Sequence, residues 1–146
     1  MDKQATQEAL ALVAEDDPIL RQKAEPVDIQ DARMLSIDRM RELYWELNGL
    51  GLSAPQVGIP LRFFVAEIKG LPVAINPSIV SASAGMISKP EGGLTWPGRT
   101  RYKKRHRWIL AQYTDRSGKL RTKKLEGLEA RIFQHELDHL DGICLF

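Results

Sequence analysis

The residues of this chain best suited to chemistry are His135, Glu136 and His139, spaced as HExxH within His135-Glu136-Leu137-Asp138-His139. Residues four apart lie on one face of a helix, so both imidazoles can reach a single divalent ion. Glu136 would then stand beside an attacking water and take its proton as the nucleophile forms. The bland alternative is a helix that merely buries two histidines, but this spacing seldom arises by chance in so short a chain. The run leading in, Leu128-Glu129-Ala130-Arg131-Ile132-Phe133-Gln134, has good helix formers and neither Gly nor Pro. Leu128 and Ile132 share the histidine face, so that face is expected to point inward. Gly142, a short turn later, suits the helix C-cap.

Several upstream elements must position this helix. An extended segment near Leu10–Val13 leads into the turn signal Asp16-Asp17-Pro18. Between Ile29 and Asn48 the apolar residues Ala32, Leu35, Met40, Leu43, Tyr44 and Leu47 recur at helical intervals, with Asp28 as N-cap and Gly49 as stop. A Gly/Pro-punctuated loop from Gly49 to Pro60 precedes an apolar strand, Leu61–Ile68. Gly70 turns the chain into a short strand, Val73–Ile75, which Pro77 ends or confines to an edge. Ser78–Ser88 reads as extended and Lys89–Thr100 as a loop, given Pro90, Gly92, Gly93, Pro97 and Gly98. Arg107–Tyr113 and Lys119–Leu125 read as a hairpin across Asp115-Arg116-Ser117-Gly118. Strands and helices do not alternate regularly, so the fold class expected is α+β, with antiparallel or mixed sheets packed around a central HExxH-bearing helix.

At 146 residues the chain is long enough for one domain with a proper core, and 43% hydrophobic with 27% charged residues fits a soluble globular protein. The single cysteine, Cys144, excludes an internal disulfide and fits a reducing compartment. Its sequence context, just past the helix-ending glycine, suggests a small buried hydrophobe opening a core-facing strand. Met1–Glu8 is too polar for a signal peptide, and no apolar run approaches the roughly 20 residues of a membrane helix. A cytoplasmic enzyme is therefore expected.

Two histidines leave an ion too open, so a zinc-type hydrolase needs a third protein ligand. Only Leu140–Phe146 follow the motif, and this tail contains no Glu. In an HExxHxxGxxH arrangement Gly142 takes the glycine position, but Leu145 stands where the third His is required, and Cys144 misses it by one. A ligand from an upstream loop remains. Gly49-Leu50-Gly51-Leu52-Ser53-Ala54-Pro55-Gln56-Val57-Gly58 closely resembles the GxGLAAPQVG motif of the peptide deformylases. Glu91-Gly92-Gly93-Leu94-Thr95 resembles their EGCLS motif, and Gln134–Gly142 their QHExDHLxG motif. Asp17-Pro18-Ile19-Leu20-Arg21 is similar to their early DPxLR segment. The four matches stand in family order and span nearly the whole chain.

The resemblance implies a metal-dependent hydrolase that removes the N-formyl group from the initiator methionine of nascent peptides. It implies His135 and His139 as metal ligands, Glu136 as general base and acid, and Gln56 with the backbone N–H of Leu94 as oxyanion donors. Leu50, Gly51, Gly92 and Ile132 would bind substrate: Gly51 admits an extended peptide backbone, while Leu50, Leu94 and Ile132 border the methionine pocket. The ion in the family is Fe2+, with Zn2+ or Ni2+ as further possibilities. Arg105 would pair with Glu91 and brace the ligand loop. His106 lies outside every motif and has no metal role assigned.

Two departures stand out. The family's third ligand is the Cys of EGCLS, and this chain has Gly93 there, which offers no side chain to an ion. Three outcomes are open: weak binding by two histidines and water, a substitute ligand such as Cys144, or a metal-free, inactive site. The chain also stops at Phe146, without the C-terminal helix of many relatives. The basic run Arg99–Trp108 could neutralise ribosomal RNA phosphates, although a solvated strand face fits the small net charge of +2 better. The competing functions are a deformylase impaired by Gly93, a non-catalytic relative that binds peptide N-termini, and, most weakly supported, an RNA-associating module.

Overall fold

The computed structural model describes residues 10–146; the polar stretch Met1–Glu8 lies outside them. Seven strands are present among the described residues: β1 Gly51–Ser53, β2 Phe63–Ala66, β3 Val73–Ala82, β4 Met86–Gly93, β5 Trp96–His106, β6 Trp108–Thr114 and β7 Leu120–Glu126. Two α-helices among the described residues, α1 Ile37–Glu46 and α2 Gly127–Leu140, complete an α+β fold. An antiparallel sheet runs β1-β2-β3-β6-β7, and β4 and β5 form a separate two-stranded antiparallel ribbon.

The five-stranded sheet is covered on both faces, which explains the unbroken apolar run of β2. Phe63 and Val65 join a cluster with Met40, Leu43 and Tyr44 of α1, while Phe64 and Ala66 join one with Ala130, Ile132, Phe133 and Leu140 of α2. Alternate residues of a strand point to opposite faces, so four consecutive apolar residues serve two cores. Phe64 meets Phe133 edge-on, with ring centroids 5.2 Å apart. The α2 helix is thereby fixed against the sheet, and Arg62 binds its C-terminal end through Leu140 O at 2.9 Å and the Asp141 carboxylate at 2.8 Å.

Several expectations need correction. The helix expected from Ile29 begins as a 3-10 turn, Ala32–Ser36, because Asp31 rather than Asp28 accepts the capping bond, from Arg33 N at 2.9 Å. Its end is as expected: Asn48 takes φ 57°, and Gly49 N bonds back to Tyr44 O at 2.8 Å. Strand β2 is shorter than Leu61–Ile68. Pro77 does not end β3, since the register with β6 shifts between Ile75 and Ser78, and the imide sits at that irregularity. The expected loop Lys89–Thr100 is instead the β4–β5 ribbon and its turn, with Pro90 opposite Tyr102. A proline is tolerated there because each strand has only one partner. Leu10–Val13 forms no strand, although Val13 N bonds to Gln56 O at 2.9 Å. Cys144 opens no strand either; its half-buried thiol donates to Leu20 O at 3.3 Å.

The α2 helix starts directly from β7, with Gly127 at φ 58° making a turn that an L side chain would resist. It ends at Gly142, φ 74°, where the expected cap forms.

Candidate metal and peptide site

The helical spacing of α2 brings His135, Glu136 and His139 together: one ligand atom of each lies within 4.8 Å of the others. No further His, Cys, Asp or Glu among the described residues joins them. Cys144, occupied with Leu20, is therefore not a substitute ligand in this arrangement. Glu136 and His139 are 4% and 2% exposed, and Glu136 Oε1 and His139 Nδ1 are buried without a hydrogen-bond partner. Buried polar atoms ordinarily have partners, so the Glu136 orphan marks a place for an ion or water. Two imidazoles beside a carboxylate fit a divalent cation of zinc or iron type. Gly93 supplies no third ligand.

The β4–β5 ribbon reaches the centre through Glu91. Its Oε1 lies 2.9 Å from His135 Nδ1. Arg105 binds both oxygens of the same carboxylate, Nη2 to Oε1 at 2.9 Å and Nε to Oε2 at 3.0 Å, as the resemblance implied. Arg105 also binds Asp138 at 2.5 Å. Arg131, one turn before His135, donates to Glu91 Oε2 at 2.5 Å, to Lys103 O at 3.0 Å and to Ile87 O at 2.6 Å. The sequence reading missed Arg131, although its i, i+4 spacing to His135 was the available signal.

Burial alone would raise the Glu91 pKa, but the bonds from His135 and Arg105 hold it well below the usual carboxylate range. Burial would lower His135, yet the Glu91 bond and the negative charges nearby raise it overall. An ionised Glu91 thus accepts the His135 Nδ1 proton and leaves the other ring nitrogen for an ion. Glu136 is pushed up to about 7 by burial, against the opposing influence of His135 and Arg105. His139 is pushed down to about 3, again mainly by burial. A cation would relieve the first of these and use the neutral imidazole of the second.

A groove of about 670 Å³ opens onto this centre. Leu50, Gly51, Gln56, Gly92, Gly93, Leu94, Ile132, His135 and Glu136 all line it, so the residues singled out in three separate sequence motifs converge. His139 is not part of the groove wall; it is buried against the Trp96 ring. Leu128 is 60% exposed at the groove rather than inward-facing as its position on the helix suggested. Gln56 is anchored: its Oε1 accepts from Ser53 N and Ser53 Oγ, both at 3.0 Å, and its Nε2 donates to Thr95 Oγ1 at 3.1 Å. One Nε2 hydrogen remains for a ligand. Gly51 approaches the centre closely, for a Cβ there would lie 3.0 Å from Glu136 Oε2 and 3.0 Å from Val65 O. His106 faces elsewhere, with Nδ1 2.8 Å from Ser83 O.

The sequence pattern of the polypeptide deformylases matches residues 9–146. The chain belongs to the polypeptide deformylase family. Peptide deformylase from Thermotoga neapolitana is 41% identical over 131 residues, 88% of this chain and 80% of that protein. The crystal structure of the Thermotoga maritima peptide deformylase superposes with a TM-score of 0.88 at 36% identity, covering 93% of this chain and 94% of that one. A Synechococcus elongatus peptide deformylase in complex with actinonin gives a TM-score of 0.85 at 35% identity, over 92% of this chain and 75% of that one. The protein is accordingly a metal-dependent hydrolase of the peptide deformylase type, a family that acts on N-formyl-methionyl peptides with a divalent metal ion. No helix among the described residues is long and apolar enough to cross a membrane.

Proposed function

We propose that this chain, as one deformylase-like domain, deformylates the initiator methionine of nascent peptides, with His135 and His139 holding the ion and Glu136 moving the proton. The carrying observation is the buried His135–Glu136–His139 cluster beside a groove lined by the other two motifs. A divalent ion here, Fe2+ by family precedent or Zn2+ or Ni2+, would polarise the formyl carbonyl and make water more acidic. The chain's own residues do the rest. Glu136 takes a proton from the water that attacks the formyl carbon and returns it to the departing amine, so that formate and a free N-terminus are released. Gln56 Nε2 and the Leu94 N–H donate to the oxygen as it gains charge, each contributing about 2.7–4 kcal/mol at sites of this kind. Leu50, Gly51 and Gly92 flank the extended peptide, and Ile132 borders the methionine side chain. A cytoplasmic location fits a nascent-chain substrate, and the basic β5 strand would provide any ribosome contact.

Gly93 favours a second reading, a peptide-binding protein with little turnover, because two histidines hold an ion less firmly than two histidines and a thiolate. Formate release from formyl-Met-Ala-Ser by protein loaded with each of the three ions separates the two. Turnover that is slow but well above that of Glu136→Gln supports deformylation. Turnover equal to that variant, with the peptide still bound, establishes the second reading.

A further inference from the structure

We propose that Trp96 is the positioning residue of His139, and that its indole and Gly93 form a matched pair: the glycine leaves the space the ring needs to lie against the imidazole. This rests on the metal-centred reading above. The two histidines are oriented by different means. His135 is fixed by the Glu91 bond at 2.9 Å, whereas His139 Nδ1 is buried and has no partner. A metal-ligating histidine normally donates its second nitrogen to a carboxylate or carbonyl, which fixes the ring. Here the ring is held by stacking instead. The indole of Trp96 is 2% exposed and lies nearly parallel to the imidazole, at 9° with centroids 6.0 Å apart. His135 closes on His139 edge-on at 5.0 Å.

The indole is itself held in place. Phe146 packs against it at 5.9 Å, and the guanidinium of Arg99 lies 4.2 Å from the Phe146 ring centre. Arg101 lies 5.2 Å from the same ring and donates to Leu145 O at 2.6 Å. Retreat of Trp96 would therefore displace a clamped aromatic. The cross-strand partner of Trp96 is Gly93, where an added Cβ would stand 3.3 Å from Trp96 Cε3 and 3.7 Å from Cζ3. The first distance is tighter than ordinary carbon contact, so a side chain at 93 and this placement of the indole compete. In this chain the ring is present and the side chain is absent.

The test is a double-mutant cycle of Gly93→Cys and Trp96→Leu, read as Co2+ affinity by competition with a chelating dye, with thiolate absorption reporting coordination by the introduced sulfur. With glycine at 93, Trp96→Leu should weaken Co2+ binding about 10- to 100-fold, the usual loss when the support of a ligand is removed. Trp96→Phe should restore most of it. In the Gly93→Cys background the same Trp96→Leu change should leave affinity unchanged or tighten it, because it frees the space the new side chain needs. Equal loss in both backgrounds, no loss in either, or a Trp96→Phe protein no better than Trp96→Leu overturns the proposal while the metal-centred reading stands. Failure of all four proteins to bind Co2+ overturns both. If Trp96→Leu does not fold, Trp96→Met, which keeps more of the volume, completes the cycle.

Discussion

Glu91 and His135 are joined by a 2.9 Å hydrogen bond between a carboxylate on the β4–β5 ribbon and an imidazole on α2. Two residues further along the same strand, Gly93 stands where a third ligand would come from. The ribbon thus supports His135 through Glu91, while its Gly93 offers no side-chain ligand. Glu91 is 8% exposed and also binds Arg105 and Arg131, so one carboxylate organises three groups from two elements.

Glu91→Gln should cost about 3–5 kcal/mol of stability, because it leaves buried cationic groups without their anion. Urea denaturation at pH 7 measures this. The Glu91 pKa is depressed in the folded state, so its contribution is present above the unfolded value, near 4.5, and is lost as pH falls below it. The stability gap between wild type and variant should therefore narrow as pH is lowered from 4.5. A gap independent of pH would show that the charge is not what matters.

Glu136→Gln should abolish deformylation, lowering kcat by roughly 10²–10⁴-fold, with the ion still bound. The same change should stabilise the metal-free protein at alkaline pH. Burial pushes the Glu136 pKa up to about 7, so the protonated form suits the fold, and ionisation above that value works against it. Stability linked to this group is complete below about 4.5 and lost as pH rises through 7, a difference on the order of 3 kcal/mol. Melting of chelator-treated protein at pH 5 and pH 8 checks the sign. The variant should gain at pH 8 and not at pH 5.

The α+β class, the HExxH helix and its Gly142 cap were legible because helical period and capping are local. The groove was legible only through the family resemblance, since Gln56, Leu94 and Ile132 come from distant segments and nothing local says that they meet. The β4–β5 ribbon was not legible. Pro90, Gly92, Gly93, Pro97 and Gly98 carry a loop composition, and only pairing between two otherwise unpartnered strands makes them a ribbon. The late start of α1 was hidden for a related reason: Asp28 and Asp31 are chemically equivalent caps, each accepting from the backbone N–H two residues on, and their residue type does not say which one opens the helix. Trp96 has no signature at all until the ribbon is laid on α2, and Arg131 has only its i, i+4 spacing to His135.

Metal should stabilise the protein through its two histidines. With Zn2+ or Co2+ at 100 times the dissociation constant, stability should rise by about 2.7 kcal/mol, visible as a saturable increase in Tm. His139→Ala should remove the increase. Mild chelation should strip the ion from the unmodified chain during dialysis, because no thiolate contributes. Tight stoichiometric metal after dialysis would show that a further ligand is recruited.

Gly51→Ala should impair turnover through Glu136 rather than through the peptide. The added methyl would stand 3.0 Å from Glu136 Oε2 and equally close to Val65 O, which belongs to the neighbouring strand and cannot easily yield. Overpacking of this kind costs about 1–3 kcal/mol, and the carboxylate is the softer of the two neighbours. The general base should therefore shift, so that kcat for formyl-Met-Ala-Ser falls while KM changes little. Truncation of the base tests the contact itself: in a Glu136→Ala background, Gly51→Ala should cost less stability than in wild type, because its flexible neighbour is gone. An unchanged kcat with a raised KM would assign the glycine to peptide approach instead, and an undiminished stability cost in the Glu136→Ala background would place the strain on Val65 alone.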